Sequence, residues 1–109
     1  MVPLLPDRYY HIYNRANGDE RIFRTAENYS YFLRRYAYFI NPVASTLSYC
    51  LMPNHFHFLV RIKNDVSKEK LEGHVSKQFS NLFSSYTQAF NKQQKRKGSL
   101  FMKNFKRKN

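Results

Sequence analysis

The chain has 109 residues, enough for one domain with one small core, read here as residues 1–109 with a basic segment over about 92–109. Hydrophobic residues make up 42% and aromatics 17%, which excludes a disordered tail. Nineteen Lys and Arg against seven Asp and Glu give a net charge of +12, which points to a polyanionic partner, nucleic acid ahead of a membrane surface.

Tyr9–Asn14 is rich in strand formers and predicts a first strand. Asn17-Gly18-Asp19 marks a turn. Thr25 caps a helix, with Asn28 where the reciprocal cap residue belongs. Tyr29, Phe32, Leu33, Tyr36 and Ile40 recur at helical spacing, and Asn41-Pro42 stops that helix. Val43–Leu51 reads as a second strand and His55–Ile62 as a third, joined by the tight Met52-Pro53-Asn54 connection into a hairpin. Asn64–Lys68 is a polar link. Val75, Phe79, Leu82, Phe83, Tyr86 and Phe90 form one apolar stripe on a second helix over roughly Lys68–Lys95, with a break expected near Gly73 and a close at Gly98. Ser99–Phe105 is expected as a last strand, ahead of a basic tail. The order strand, helix, strand, strand, helix, strand is that of the split βαβ or ferredoxin-like fold, an α+β antiparallel sheet with two main helices on one face. That fold serves many functions and decides none.

Charge is unevenly placed. All seven acids lie at or before Glu72, while Lys77, Lys92, Lys95, Arg96, Lys97, Lys103, Lys106, Arg107 and Lys108 follow. Such a block is either a solvated tail or an arm that tracks phosphates. The lone Cys50 forms no internal disulfide and fits a reducing, cytoplasmic setting, with burial as a small apolar residue its expected role. No apolar run reaches the ~18–20 residues that span a bilayer, so no membrane partner is expected.

The sharpest local pattern is Asn54-His55-Phe56-His57-Phe58-Leu59-Val60-Arg61-Ile62. Alternation along a strand puts Phe56, Phe58, Val60 and Ile62 on one face and His55, His57, Leu59 and Arg61 on the other. Two imidazoles at i and i+2 sit about 6–7 Å apart along the strand and can converge on one divalent ion. The same pair also suits two polar histidines on a wetted face. His11 and Arg15 lie on the first strand, which in the expected topology neighbours the third, so His11 is expected beside the pair, near DNA or metal, with a plain surface histidine equally open.

The run Tyr49-Cys50-Leu51-Met52-Pro53-Asn54-His55-Phe56-His57-Phe58-Leu59-Val60 closely resembles the core motif of REP-associated tyrosine transposases, within the HUH single-tyrosine transposases of small insertion sequences. Tyr10–Asn17, Ser85–Asn91 and Gly98–Phe101 with Phe105-Lys106 resemble further family segments in the same order. The resemblance implies a divalent metal, Mg²⁺ or Mn²⁺, on His55 and His57, with Asn91 as third ligand. It implies Tyr86 as the nucleophile that forms a 5′-phosphotyrosine and frees a 3′-hydroxyl, on single-stranded DNA ends carrying hairpins. Some such transposases exchange the tyrosine helix between subunits and others act alone, so a homodimer and a monomer both stay open. Relatives usually continue past the segment resembling Gly98–Lys108, so a truncated chain, a short complete member and an inactive remnant all stay open.

The residues themselves leave Tyr86 as one of nine tyrosines, in the middle of an apolar stripe. Asn91, five residues on, lies ~140° around an ideal helix from it. A phenol is a weak nucleophile at neutral pH, which is why a metal that polarises the phosphate is needed. Aromatics interleaved with cations suit single strands, where exposed bases stack. His11, Arg15, Lys92, Lys95, Arg96, Lys97, Lys103, Lys106 and Arg107 are the expected DNA contacts. A non-catalytic single-stranded nucleic-acid-binding module is the alternative, although the aromatic signature of the common RNA-binding sheet is absent. A hydrolase of small phosphate esters fits poorly, because no carboxylates lie near the histidines in sequence and the chain is strongly basic.

Overall fold

In the first helix the start signal is met in full. Thr25 Oγ1 accepts the Asn28 backbone N–H at 3.2 Å, and Asn28 Oδ1 accepts the Thr25 and Arg24 backbone N–H groups at 3.1 and 2.8 Å. The computed structural model describes residues 3–64 and 68–109, with the side chains of residues 68–72 outside the description. Its elements are β1 (Tyr9–Arg15), α1 (Ala26–Ile40), β2 (Ala44–Met52), β3 (His55–Ile62), α2 (Lys68–Gln94) and β4 (Lys106–Lys108). The sheet order is β2-β3-β1-β4, with antiparallel pairing throughout. This is the α+β arrangement expected from the element order.

One face of the sheet carries the core. Tyr10 and Ile12 of β1 and Phe56, Phe58, Val60 and Ile62 of β3 are buried there, as alternation requires. The two helices lie over this face. Phe32, Tyr36 and Ile40 from α1 and Val75, Phe79, Leu82, Phe83, Tyr86 and Phe90 from α2 fill the space between. The packing is largely ring on ring: Tyr36 stacks on Phe58 at 4.1 Å, and Phe56 meets Phe83 at 5.3 Å.

Three local expectations are corrected. The last strand is Lys106–Lys108 rather than Ser99–Phe105. Asn104 takes a left-handed φ of 61°, which breaks the extended run, and Phe101 makes only an isolated bridge with Ala16. Lys95, at φ 55°, ends α2 ahead of Gly98, with the Arg96 N–H reaching back to the Asn91 carbonyl at 3.0 Å. Helix α2 runs through Gly73, which takes φ 82° and so marks the expected irregularity as a distortion within the helix. The middle of the expected polar link, residues 65–67, lies outside the described residues.

Two predictions follow from this packing. Asn28 satisfies the cap and also donates to Gln93 Oε1 on α2 at 2.9 Å. Asn28→Ala is expected to lower unfolding free energy by about 1–2 kcal/mol in urea titrations. Tyr36, buried and bonded to Thr46 Oγ1 at 2.6 Å, has its phenol pushed up from 10.0 to about 12, by burial first and against that hydrogen bond. A raised folded value stabilises fully below pH 10.0 and is lost as pH rises through about 12. Thermal melts should therefore show stability falling across that window, and less steeply in Tyr36→Phe.

Candidate metal and nucleic-acid site

The other face of the sheet is open, and register decides what meets there. Tyr13 pairs with His57, Arg15 with His55 and His11 with Leu59. On the far sides, Cys50 lies opposite His57, and Lys106 and Lys108 lie opposite Tyr13 and His11. The first-strand residues thus stand beside the histidine pair, as the topology predicts.

The rings form one cluster. His11 stacks on Tyr13 at 4.5 Å and on His57 at 4.9 Å, and His55 meets His57 edge-on at 5.2 Å. His11 Nε2 lies 2.7 Å from His57 Nδ1, and His55 Nδ1 lies 2.8 Å from Asn54 Oδ1. The Nε2 atoms of His55 and His57 have no hydrogen-bond partner among the described residues. Partial burial, then the like charges of His11 and His55, lower the His57 pKa below its ordinary value. That favours the neutral imidazole, the form that ligates a metal.

A cleft of about 440 Å³ opens beside the cluster, lined by Tyr13, Asn14, Arg15, His55, His57, Met102 and Lys106. Among the described residues no carboxylate lines it. Met102 is held there by its backbone, whose N–H donates to the Arg15 carbonyl and whose carbonyl accepts Asn14 Nδ2, both at 2.9 Å. Among the described residues no group of three or more His, Cys, Asp and Glu side chains can hold a metal ion. Two imidazole nitrogens supply only part of a divalent cation's shell, which water and phosphate oxygens would complete.

Other expected site residues lie elsewhere. Tyr86 sits in the helix layer, on the opposite side of the sheet from the histidines. It is 1% exposed, and its hydroxyl donates to the Ile22 carbonyl at 2.5 Å. Its ring packs against Phe32, Phe23 and Phe90, and burial, with Tyr29 adding to it, pushes its pKa well above the ordinary phenol range. The apolar stripe that builds α2 is what puts it there. Asn91 does not join the histidines either. Its Nδ2 donates to the Gly98 carbonyl at 3.0 Å and its Oδ1 accepts from Arg96.

The basic segment divides in two. Lys92, Lys95, Lys97, Lys103, Lys106 and Lys108 are exposed. Arg96 is instead tied down by Glu20 at 3.6 Å and the Ser99 carbonyl at 3.2 Å. Arg107 points to the helix layer, donating to Ser76 Oγ at 2.7 Å and lying over the Phe105 ring at 4.3 Å. These two arginines, expected on DNA, hold the chain's own fold together. Cys50 is exposed on the open face rather than buried. Tyr13 and Met102 were missed from sequence. Tyr13 was within reach, since it shares the i, i+2 face of His11, whereas Met102 arrives by a tertiary path without a local signal.

Tyr86→Phe would leave the Ile22 carbonyl without its phenol donor. It is expected to cost about 1–3 kcal/mol in chemical denaturation, with the fold kept as judged by circular dichroism.

A scan against family models finds no match, and no curated protein matches. Among solved structures, the fold is similar to that of a REP-associated tyrosine transposase bound to a REP hairpin, with a TM-score of 0.72 and 9% sequence identity. The match covers 99% of this chain and 59% of that one, so the chain spans well under two thirds of its neighbour. At this identity the likeness is one of fold. No described helix is long and apolar enough to cross a membrane.

Proposed function

We propose that the chain is the metal- and DNA-holding domain of a transposase-type protein that acts on single-stranded DNA with hairpin ends. The observation that carries this reading is the pair of Nε2 edges on His55 and His57 that no described residue engages, set in an open cleft edged by Arg15 and Lys106 with no described carboxylate opposite. The fold it shares with a hairpin-bound transposase supports the reading.

A Mg²⁺ or Mn²⁺ ion on His55 and His57 would polarise a bound phosphodiester and offset charge building on its oxygens. Arg15 and Lys106 attract the strand and hold its phosphates. Tyr13 offers a ring face to an unpaired base. With no described acid in the cleft, metal and phosphate each supply what the other lacks, so their binding is coupled and reciprocal.

The covalent phosphotyrosine step needs a phenol at the histidines. The Tyr86 hydroxyl is buried and bonded to Ile22 across the sheet from them, so in this arrangement it does not reach the histidines. That burial favours a second reading, a binding module without covalent chemistry of its own.

One experiment separates the readings. Hairpin DNA with a single-stranded flank is titrated with and without Mn²⁺, then tested for an SDS-resistant adduct. The first reading expects Mn²⁺ to tighten binding about 10-fold, with the gain lost in His55→Ala and His57→Ala. Metal-independent binding, indifferent to both substitutions across several hairpins, would leave only the binding module. An adduct lost in Tyr86→Phe would restore that tyrosine as nucleophile and require α2 to leave the core. Lys106→Ala is expected to reduce the dependence of log affinity on log salt by about 1, a slope read from the same titration at several salt concentrations.

A further inference from the structure

The residue left without a settled role is His11. As a DNA contact it is poorly placed, because its Nε2 is already engaged by His57 Nδ1 at 2.7 Å. Two ring nitrogens at hydrogen-bond distance share one proton, and which ring donates decides what His57 can do. If His11 donates, His57 carries its own proton on Nε2 and cannot ligate through that atom. If His57 donates, its Nε2 lone pair is free toward the open face.

The neighbouring histidine shows the second arrangement. Asn54 Oδ1 can only accept, so His55 Nδ1 is the donor at 2.8 Å and His55 Nε2 keeps its lone pair. His11 stands in the equivalent relation to His57. It is held there by its stack on Tyr13 at 4.5 Å and by the β1–β3 register, which seats His11 opposite Leu59, two residues from His57. Metal-ligating histidines characteristically donate their other N–H to a fixed acceptor, which sets both tautomer and ring orientation.

We propose that His11 is a positioning residue: its Nε2 accepts the His57 Nδ1 proton and holds His57 in the tautomer whose Nε2 can ligate a divalent cation. The inference rests on the metal reading above. It assigns the chain a matched pair of acceptors, Asn54 for His55 and His11 for His57, supplied from two different parts of the fold.

The test uses Mn²⁺ alone, with affinity measured by the electron-spin resonance of free Mn²⁺, and long-range ¹⁵N–¹H spectra of the imidazoles in the metal-free protein. His11→Phe keeps a ring in the stack and removes the acceptor. His11→Gln removes the ring and keeps an acceptor at similar reach. The expected result is a 10-fold or greater loss of Mn²⁺ affinity in His11→Phe and recovery to within about 3-fold in His11→Gln. In the metal-free parent, His57 should show the Nδ1–H tautomer, and His11→Phe should shift it toward Nε2–H. Equal losses in both variants, wild-type affinity in His11→Phe, or an Nε2–H His57 in the parent would each overturn the assignment. His57→Ala separates the two levels: undiminished Mn²⁺ affinity there sinks the metal reading and the proposal with it, whereas its loss alongside wild-type affinity in His11→Phe sinks the role of His11 alone.

Discussion

A β-strand has two faces and no third, and β3 uses both for incompatible purposes. Phe56, Phe58, Val60 and Ile62 must be dry, while His55, His57 and Arg61 must not be. Burial of the first set holds the strand in place between β1 and β2. A slip of one residue would drive imidazoles and a guanidinium into the core and four apolar side chains into water. The geometry of the histidine cluster therefore does not have to be stabilised locally. It is enforced from behind, by the same rings that Phe32, Tyr36 and Phe83 pack against.

That division explains what was legible from residues alone. Strand alternation and helical spacing are local, so β3, the Thr25–Asn28 cap and the α2 stripe could be read directly. Antiparallel order then placed His11 and Arg15 beside the pair. What could not be read depends on contacts far apart in sequence. Arg96 meets Glu20, and Arg107 meets Ser76, so two cations that look available in a basic run are bound within the fold. Asn104, whose left-handed backbone cuts the expected last strand short, lies between the buried Phe101 and Phe105. Tyr86 had the opposite problem. Its spacing already marked it as a core residue, and the motif around it drew attention to its hydroxyl.

The electrostatic character of the open face is set by omission. All seven acids lie in the first two thirds of the chain, and no described one lines the cleft beside the histidines. A divalent cation normally settles where carboxylates neutralise it. On the reading proposed above, two imidazole nitrogens and a cationic rim would leave the missing negative charge to arrive with the ligand. On that reading, a bound strand would strengthen metal binding beyond what the two imidazoles supply alone.

The burial of the Tyr86 phenol has a kinetic consequence. Releasing it would break its bond to Ile22 and part its ring from Phe23, Phe32, Phe90 and Phe101, a disruption comparable to deleting a large core side chain, about 4 kcal/mol. At that cost roughly one molecule in a thousand would hold the phenol free at any moment. Any turnover passing through such a conformer would be throttled by that scarcity, and its temperature dependence would report the opening of the helix layer rather than the making and breaking of phosphate bonds.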